Sequence, residues 1–303
     1  VFVLLTNSTF YLGSFTISNT ATLVFSNWNS ALSASNVTIA TGSTVTLPPA
    51  FTNFPMSNNV YFICSNLTLA AGATINVNGK GYAGFSQMNG FGEGGGSGTY
   101  GGGSYGGKGG TLGSSGLTYG SSNAPTAPGS AGGAHVSPGY PGGAGGGAVR
   151  IDATGAVLID GTITANGAIG NSSGSGSGGA IFITCNTVAG SGTVQARGAF
   201  AGWGTGGGGR IAVIYDPTAQ GLIAVPSIVY QTAPPANSSY SADVGTLFFP
   251  DDRFLVTPFR HSGQWLVPGT TNWIVNNLVV SNAWIRFPAD EFILTVTNEL
   301  RIV

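Results

Sequence analysis

The chain has 303 residues, of which 52 are glycine, 42% are hydrophobic and only 6% carry charge. A typical soluble domain is about 25% charged, yet the apolar share is too high for a charged disordered tail. A net charge of −1, with Lys80 and Lys108 as the only lysines, gives none of the basic surface that nucleic acid demands. No apolar run approaches about 18 residues, so neither a transmembrane helix nor membrane insertion is expected. The surface must be covered by Ser, Thr, Asn and Gly, which fits an extracellular or cell-surface setting. The chain starts at Val1, shows no signal peptide, and has apolar ends, "VFVLLTNSTFYLG" and "NELRIV". It is expected to be a fragment of a longer chain or a processed one.

Helical periodicity is almost absent, and short alternating apolar runs dominate. Residues 1–78 are expected to form β-solenoid coils. "ALSASNVTIATGSTVTL" (31–47) and "VYFICSNLTLAAGATINVNGKGYAG" (60–84) share one pattern of strand, small-residue turn and strand. Residues 79–147 form a long glycine-rich insertion. Coils with short glycine loops are expected over 148–216. There "GGAVRIDATGAVLIDGTITANGAIG" (146–170) aligns with "GGAIFITCNTVAGSGTVQARGAFAG" (178–202) and "GGRIAVIYD" (208–216), pairing Ala148 with Ala180 and Ala180 with Arg210. Residues 217–258 break the pattern and are expected as an irregular loop or cap. Further solenoid strands are expected over 259–303, as in "NNLVVSNAWIRFPADEFILTV" (276–296).

A repeat of this length with two or three strands per unit predicts an all-β parallel β-helix, or β-solenoid. Each unit makes one coil, equivalent strands pair in parallel, and inward Val, Ile, Leu and Ala stack into ladders. The turns need left-handed or crowded backbone, which Gly79, Gly167 and Gly198 supply. The glycine runs are loops leaving the coil at one recurring corner. Without Cβ atoms they can pack closely as polyproline-II-like rods; Gly107, Gly110, Gly113 and Gly116 have the spacing of three that a rod requires. The alternative is a floppy loop. Cys64 and Cys185 follow apolar strands and are expected as buried free thiols.

These segments resemble the glycine-rich β-helix repeats of large extracellular and surface proteins. They are similar in style to autotransporter-passenger and filamentous-haemagglutinin-like solenoids. The resemblance implies a scaffold, stalk or adhesive surface, and it offers no catalytic residues.

Chemistry-bearing motifs are few. Asp251, Asp252 and Arg253, with Arg260 and His261, form the best acid–base candidate for a polysaccharide-active site. Adjacent aspartates on a strand point to opposite faces, and Asp after Pro250 is common in turns, so no enzyme is expected. His135 and His261 stand in unrelated contexts without metal-ligand spacing, and no metal or cofactor is expected. Asp152 and Asp160 are expected to cap turns or pair with Arg150 and Arg197. Asn-x-Ser/Thr occurs at Asn7, Asn36, Asn66, Asn171 and Asn237. Regular threonines could suggest an ice-binding face, although Thr simply favours strand surfaces. Tyr82, Phe85, Phe91, Tyr100, Tyr105, Tyr119, Tyr140 and Trp203 dot the glycine-rich regions. They could pack on a partner subunit, stack on sugars, or pack on their own solenoid.

Uncapped solenoid ends expose unpaired backbone and apolar core. The expected function is therefore a structural subunit of an extracellular filament or surface layer, a head-to-tail homopolymer joined by strand addition. The alternative is an adhesin segment that binds a glycan or surface receptor through glycine and aromatic loops.

Overall fold

The computed structural model describes residues 1–303 apart from 53–55, 111–113, 201, 202, 236–240 and 282. In chain order the strands are β1 (Phe2–Leu5), β2 (Leu12–Ile17), β3 (Thr22–Phe25), β4 (Leu32–Ile39), β5 (Thr44–Thr46), β6 (Val60–Leu69), β7 (Thr74–Asn76), β8 (Ala148–Ala153), β9 (Ala156–Ile159) and β10 (Thr162–Thr164). They continue as β11 (Ala180–Thr184), β12 (Thr187–Ala189), β13 (Thr193–Gln195), β14 (Arg210–Ile214), β15 (Val229–Gln231), β16 (Thr246–Phe248), β17 (Ser262–Leu266), β18 (Asn272–Val280), β19 (Trp284–Arg286) and β20 (Ile293–Ile302). A single helical turn, α1 (Pro217–Gln220), starts at an Asp216 cap whose carboxylate accepts from the Ala219 amide. The chain is thus nearly all-β.

Every strand pairing is parallel, and the pairings run in ladders. One ladder takes β1, β3, β5, β7, β10, β13, β15, β17 and β19 in succession. A second runs from β2 through β4 and β6 to β9 and β12. A third runs from the first half of β4 through β6, β8, β11, β14 and β16 to β17. Eighteen strands belong to one sheet, and β18 pairs with β20 beside it. Long parallel ladders revisited in strict rotation are consistent with a β-solenoid.

The registers are those the sequence alignment predicts. Ala148 pairs with Ala180 and Ala180 with Arg210. Thr74 pairs with Thr162, and Thr162 with Thr193. A one-residue slip would turn every core side chain outward, and the alternation of Val and Ile with Thr forbids it. Val45, Ile75, Ile163, Val194 and Tyr230 stack inward on the first ladder, all fully buried. Asn66 donates its amide to Asn36, 30 residues earlier, so outward polar residues stack as well. Gly42 (φ +78°) and Gly72 (φ +77°) turn the chain between ladders in the left-handed conformation that favours glycine.

Residues 217–258, expected as a loop or cap, instead carry two strands of the ladders. β15 continues from β13, and β16 continues from β14. Each has three residues, too few for a visible alternation, and α1 lengthens the connection from β14 to β15. The apolar "TLFFPDDRFLV" stretch supplies Phe249 and Phe254 to an aromatic core with Tyr230, His261 and Trp265.

Candidate assembly surfaces and the glycine array

The glycine-rich segments cross-bond through their backbones. Gly143 and Gly146 donate to Gly174 and Ser177. Gly129 and Gly132 donate to Gly146 and Gly143, Ser175 and Gly178 donate to Gly204 and Gly207, and Gly107 and Gly110 donate to Gly208 and Thr205. In each pair of neighbours the bonds recur every third residue, which is the turn of a polyproline II helix. Gly113 lies outside the described residues. The neighbours are too close for side chains. A Cβ on Gly206 would stand 1.8 Å from the Gly176 carbonyl oxygen, and one on Gly145 would stand 1.9 Å from that of Gly129.

The three predicted turn glycines divide by cause. Gly79 has φ +59°. Gly167 and Gly198 are not left-handed; a Cβ on them would stand 2.0 and 1.8 Å from the carbonyl oxygens of Gly176 and Gly206. They are glycines because two backbones touch there.

The eight predicted contact aromatics also divide. Tyr82 and Tyr105 are buried, at 1% and 0% exposure, so they pack on this chain and present no contact surface. Tyr119 is partly buried, and its hydroxyl donates to the Pro128 carbonyl. Burial drives the Tyr82 phenol up to about 12. The remaining five form a rim on the array. Trp203 stacks on Tyr100 at 5.0 Å, Tyr100 meets His135, His135 meets Tyr140, and Phe85 meets Phe91 edge-on. Phe85, Tyr140 and Trp203 are exposed, while Phe91 and Tyr100 are half-buried.

The first and last rungs of the ladders leave inward positions exposed. Val3 occupies the inward position above Leu23, yet it is 48% exposed while Leu23 is 2% exposed. At the other end, Leu294 and Leu300 stand over buried Trp273 and Leu278 and are themselves exposed. The coils at both ends are narrow. Leu12 pairs with Ala34 at one end, and Asn277 pairs with Glu299 at the other. Side chains on adjacent coils near β18 and β20 bond 21 residues apart, whereas mid-chain partners bond 30–36 apart.

Other candidates are occupied structurally. Asp251 accepts from the Tyr215 hydroxyl and pairs with Arg253 at 3.5 Å. Asp252 and Arg260 are exposed. His261 is buried, its Nδ1 accepts from the Tyr230 amide at 3.2 Å, and burial lowers its pKa to about 4. Asp152 pairs with Arg150 at 2.7 Å and accepts from Tyr61 at 2.8 Å. Asp160 caps the Ser191 turn. Arg197 bonds the Ala233 carbonyl and no carboxylate. Asn66 already uses both its amide groups, one on Asn36 and one on the Ala156 amide; Asn237 lies outside the described residues. Cys64 and Cys185 are free; Cys64 is buried as expected but Cys185, just after β11, is only partly buried, and desolvation raises their pKa values to about 11 and about 12. Among the described residues no three His, Cys, Asp or Glu side chains are grouped to hold a metal, and no helix is long and apolar enough to cross a membrane. Searches with family models, against curated proteins and against solved structures gave no match.

Proposed function

We propose that this chain is a structural segment of an extracellular filament or surface layer. In this reading the ladders close into a parallel β-helix, residues 79–147 are its glycine-rich insertion, and copies join head to tail by strand addition. The observation that carries it is the pair of open ends with exposed core positions and equally narrow coils. At one end β1 leads into β2; at the other β19 leads into β20. A second copy laid with β1 beside β19 and β2 beside β20 would set Val3 against Ile285 and β2 against Leu294 and Leu300, each apolar side chain so buried gaining about 1.5–3 kcal/mol. The glycine array supports a structural role, since it gives a closely packed side wall with little charge.

The free edge of β2 allows a test. Ala40 donates to the Ile17 carbonyl, so Ile17 faces β4 and Thr16 faces the open edge. Thr16→Pro removes an open-edge amide and leaves the β2–β4 ladder intact. Sedimentation should show concentration-dependent growth for the parent chain and a folded monomer for Thr16→Pro. A parent chain that stays monomeric at every concentration refutes the proposal.

The ring run Trp203–Tyr100–His135–Tyr140, exposed at Trp203 and Tyr140, favours a second reading, an adhesin segment whose rim grips a receptor or glycan. On that reading Trp203→Ala loses surface binding without loss of fold.

A further inference from the structure

A separate groove lies across the outer face of the first ladder, near β19. Its volume is about 1020 Å³. Register sets Gln231 of β15, Ser262 of β17 and Trp284 of β19 in one row along it, and continues that row to Gln195 of β13 just beyond the lining. Three rungs separate β13 from β19, a span of about 14 Å at ~4.8 Å per rung. Arg197 follows Gln195 by two residues and Arg286 follows Trp284 by two, so the guanidinium groups flank the row at its two ends.

The side chains in this groove are poised rather than spent. Among the described residues neither Arg197 nor Arg286 pairs with a carboxylate. Arg197 is held by one bond, from Nε to the Ala233 carbonyl at 3.0 Å, which leaves its outer nitrogens free. Gln195 donates Nε2 to Gln231 Oε1 at 2.8 Å. That bond fixes the Gln231 amide with its own N–H groups unspent. The Trp284 side chain is 48% exposed and stacks on no ring, while its backbone amide is pinned by the Ser262 hydroxyl at 3.1 Å. Among the described lining residues Asp243 is the one acidic side chain, against two arginines.

We infer that this groove binds an anionic oligosaccharide. A bare indole offers an apolar face to the C–H face of a sugar ring. Guanidinium forks match carboxylate or sulfate groups. The oriented Gln231 amide and Asp243 serve hydroxyl groups. Two arginines rooted on strands three rungs apart fit charges on separated sugars of one chain rather than a single small anion. Arg197 and Arg286 line this one groove together with the exposed Trp284. This inference does not depend on end-to-end assembly.

The test is calorimetric titration of the full chain with tetragalacturonate, a heparin tetrasaccharide and neutral maltotetraose. Binding of either anionic chain in preference to maltotetraose is expected, and the comparison tells a carboxylate from a sulfate ligand. Arg286→Gln and Trp284→Ala, both on the surface and checked for fold by circular dichroism, should each weaken binding about tenfold or more. Added salt should weaken it further. Failure of both anionic chains to bind, equal binding of maltotetraose, or indifference to both substitutions overturns the inference. None of these outcomes bears on filament growth, which sedimentation reads separately.

Discussion

Gly206→Ala distinguishes a packed glycine array from a loop. The added methyl carbon would stand 1.8 Å from the Gly176 carbonyl oxygen and 2.4 Å from its carbon. Ordinary carbon–oxygen contact is above 3 Å, so one backbone must retreat by more than 1 Å. No side chain can yield, because both partners are glycine. The retreat strains the bond from Gly206 to Ala199 at 2.8 Å and the neighbouring bonds from Gly207 to Gly103 and from Gly178 to Gly207. Three bonds at about 1 kcal/mol each, with about 1–3 kcal/mol for overpacking, give a loss of about 4–6 kcal/mol. Gly13→Ala is the control: nothing stands within 4 Å of its Cβ position, and the change should be neutral or stabilising by under about 1 kcal/mol. Urea unfolding followed by tyrosine and tryptophan fluorescence reads both. A Gly206→Ala chain less than about 1 kcal/mol below the parent would refute the packed array and restore the loop.

Three further outcomes follow from the core and its titrating groups. Ile163→Ala, in the fully buried ladder between Ile75 and Val194, should cost about 2–5 kcal/mol in the same assay; a loss under 1 kcal/mol contradicts the inward stacking. His261 is held neutral by burial, with a pKa of about 4 against an ordinary 6.5, so it binds its proton more weakly folded than unfolded. Its contribution is therefore whole above pH 6.5 and is lost as pH falls from 6.5 towards 4, by up to about 3 kcal/mol. His261→Gln should flatten that acid limb, and an unchanged limb contradicts the assignment. Cys64 and Cys185 should react slowly with a disulfide reagent at pH 8 until the chain unfolds, since desolvation holds both as thiols; rapid native labelling of buried Cys64 contradicts the fold.

The strand registers were legible because stacking forces like onto like. Thr, an inward aliphatic, then a polar residue recurs in 44–46, 74–76, 162–164 and 193–195, and those triplets pair rung to rung. The spacing of three in the glycines also pointed to the bonding period of the array. What the sequence hid were features set by distant neighbours. Val229–Gln231 and Thr246–Phe248 look like fragments of loop, and only the rungs beneath them make them strands. Tyr82 and Tyr105 read like surface aromatics because glycine surrounds them in sequence, yet folding returns those glycines over their rings. The groove could not be read at all, since Arg197, Gln231, Trp284 and Arg286 meet only through the ladder register. Gly42 and Gly72 were findable: each stands in the same "Ala-x-Gly" turn after an apolar strand, 30 residues apart.

Electron microscopy of the assembled chain tests the central claim most directly. Nine strands stack in the first ladder, so each copy should add about 43 Å of axis at ~4.8 Å per rung. Unbranched filaments with that axial repeat are predicted. Isolated rods about 43 Å long, with no end-to-end contacts at any concentration, would contradict the account.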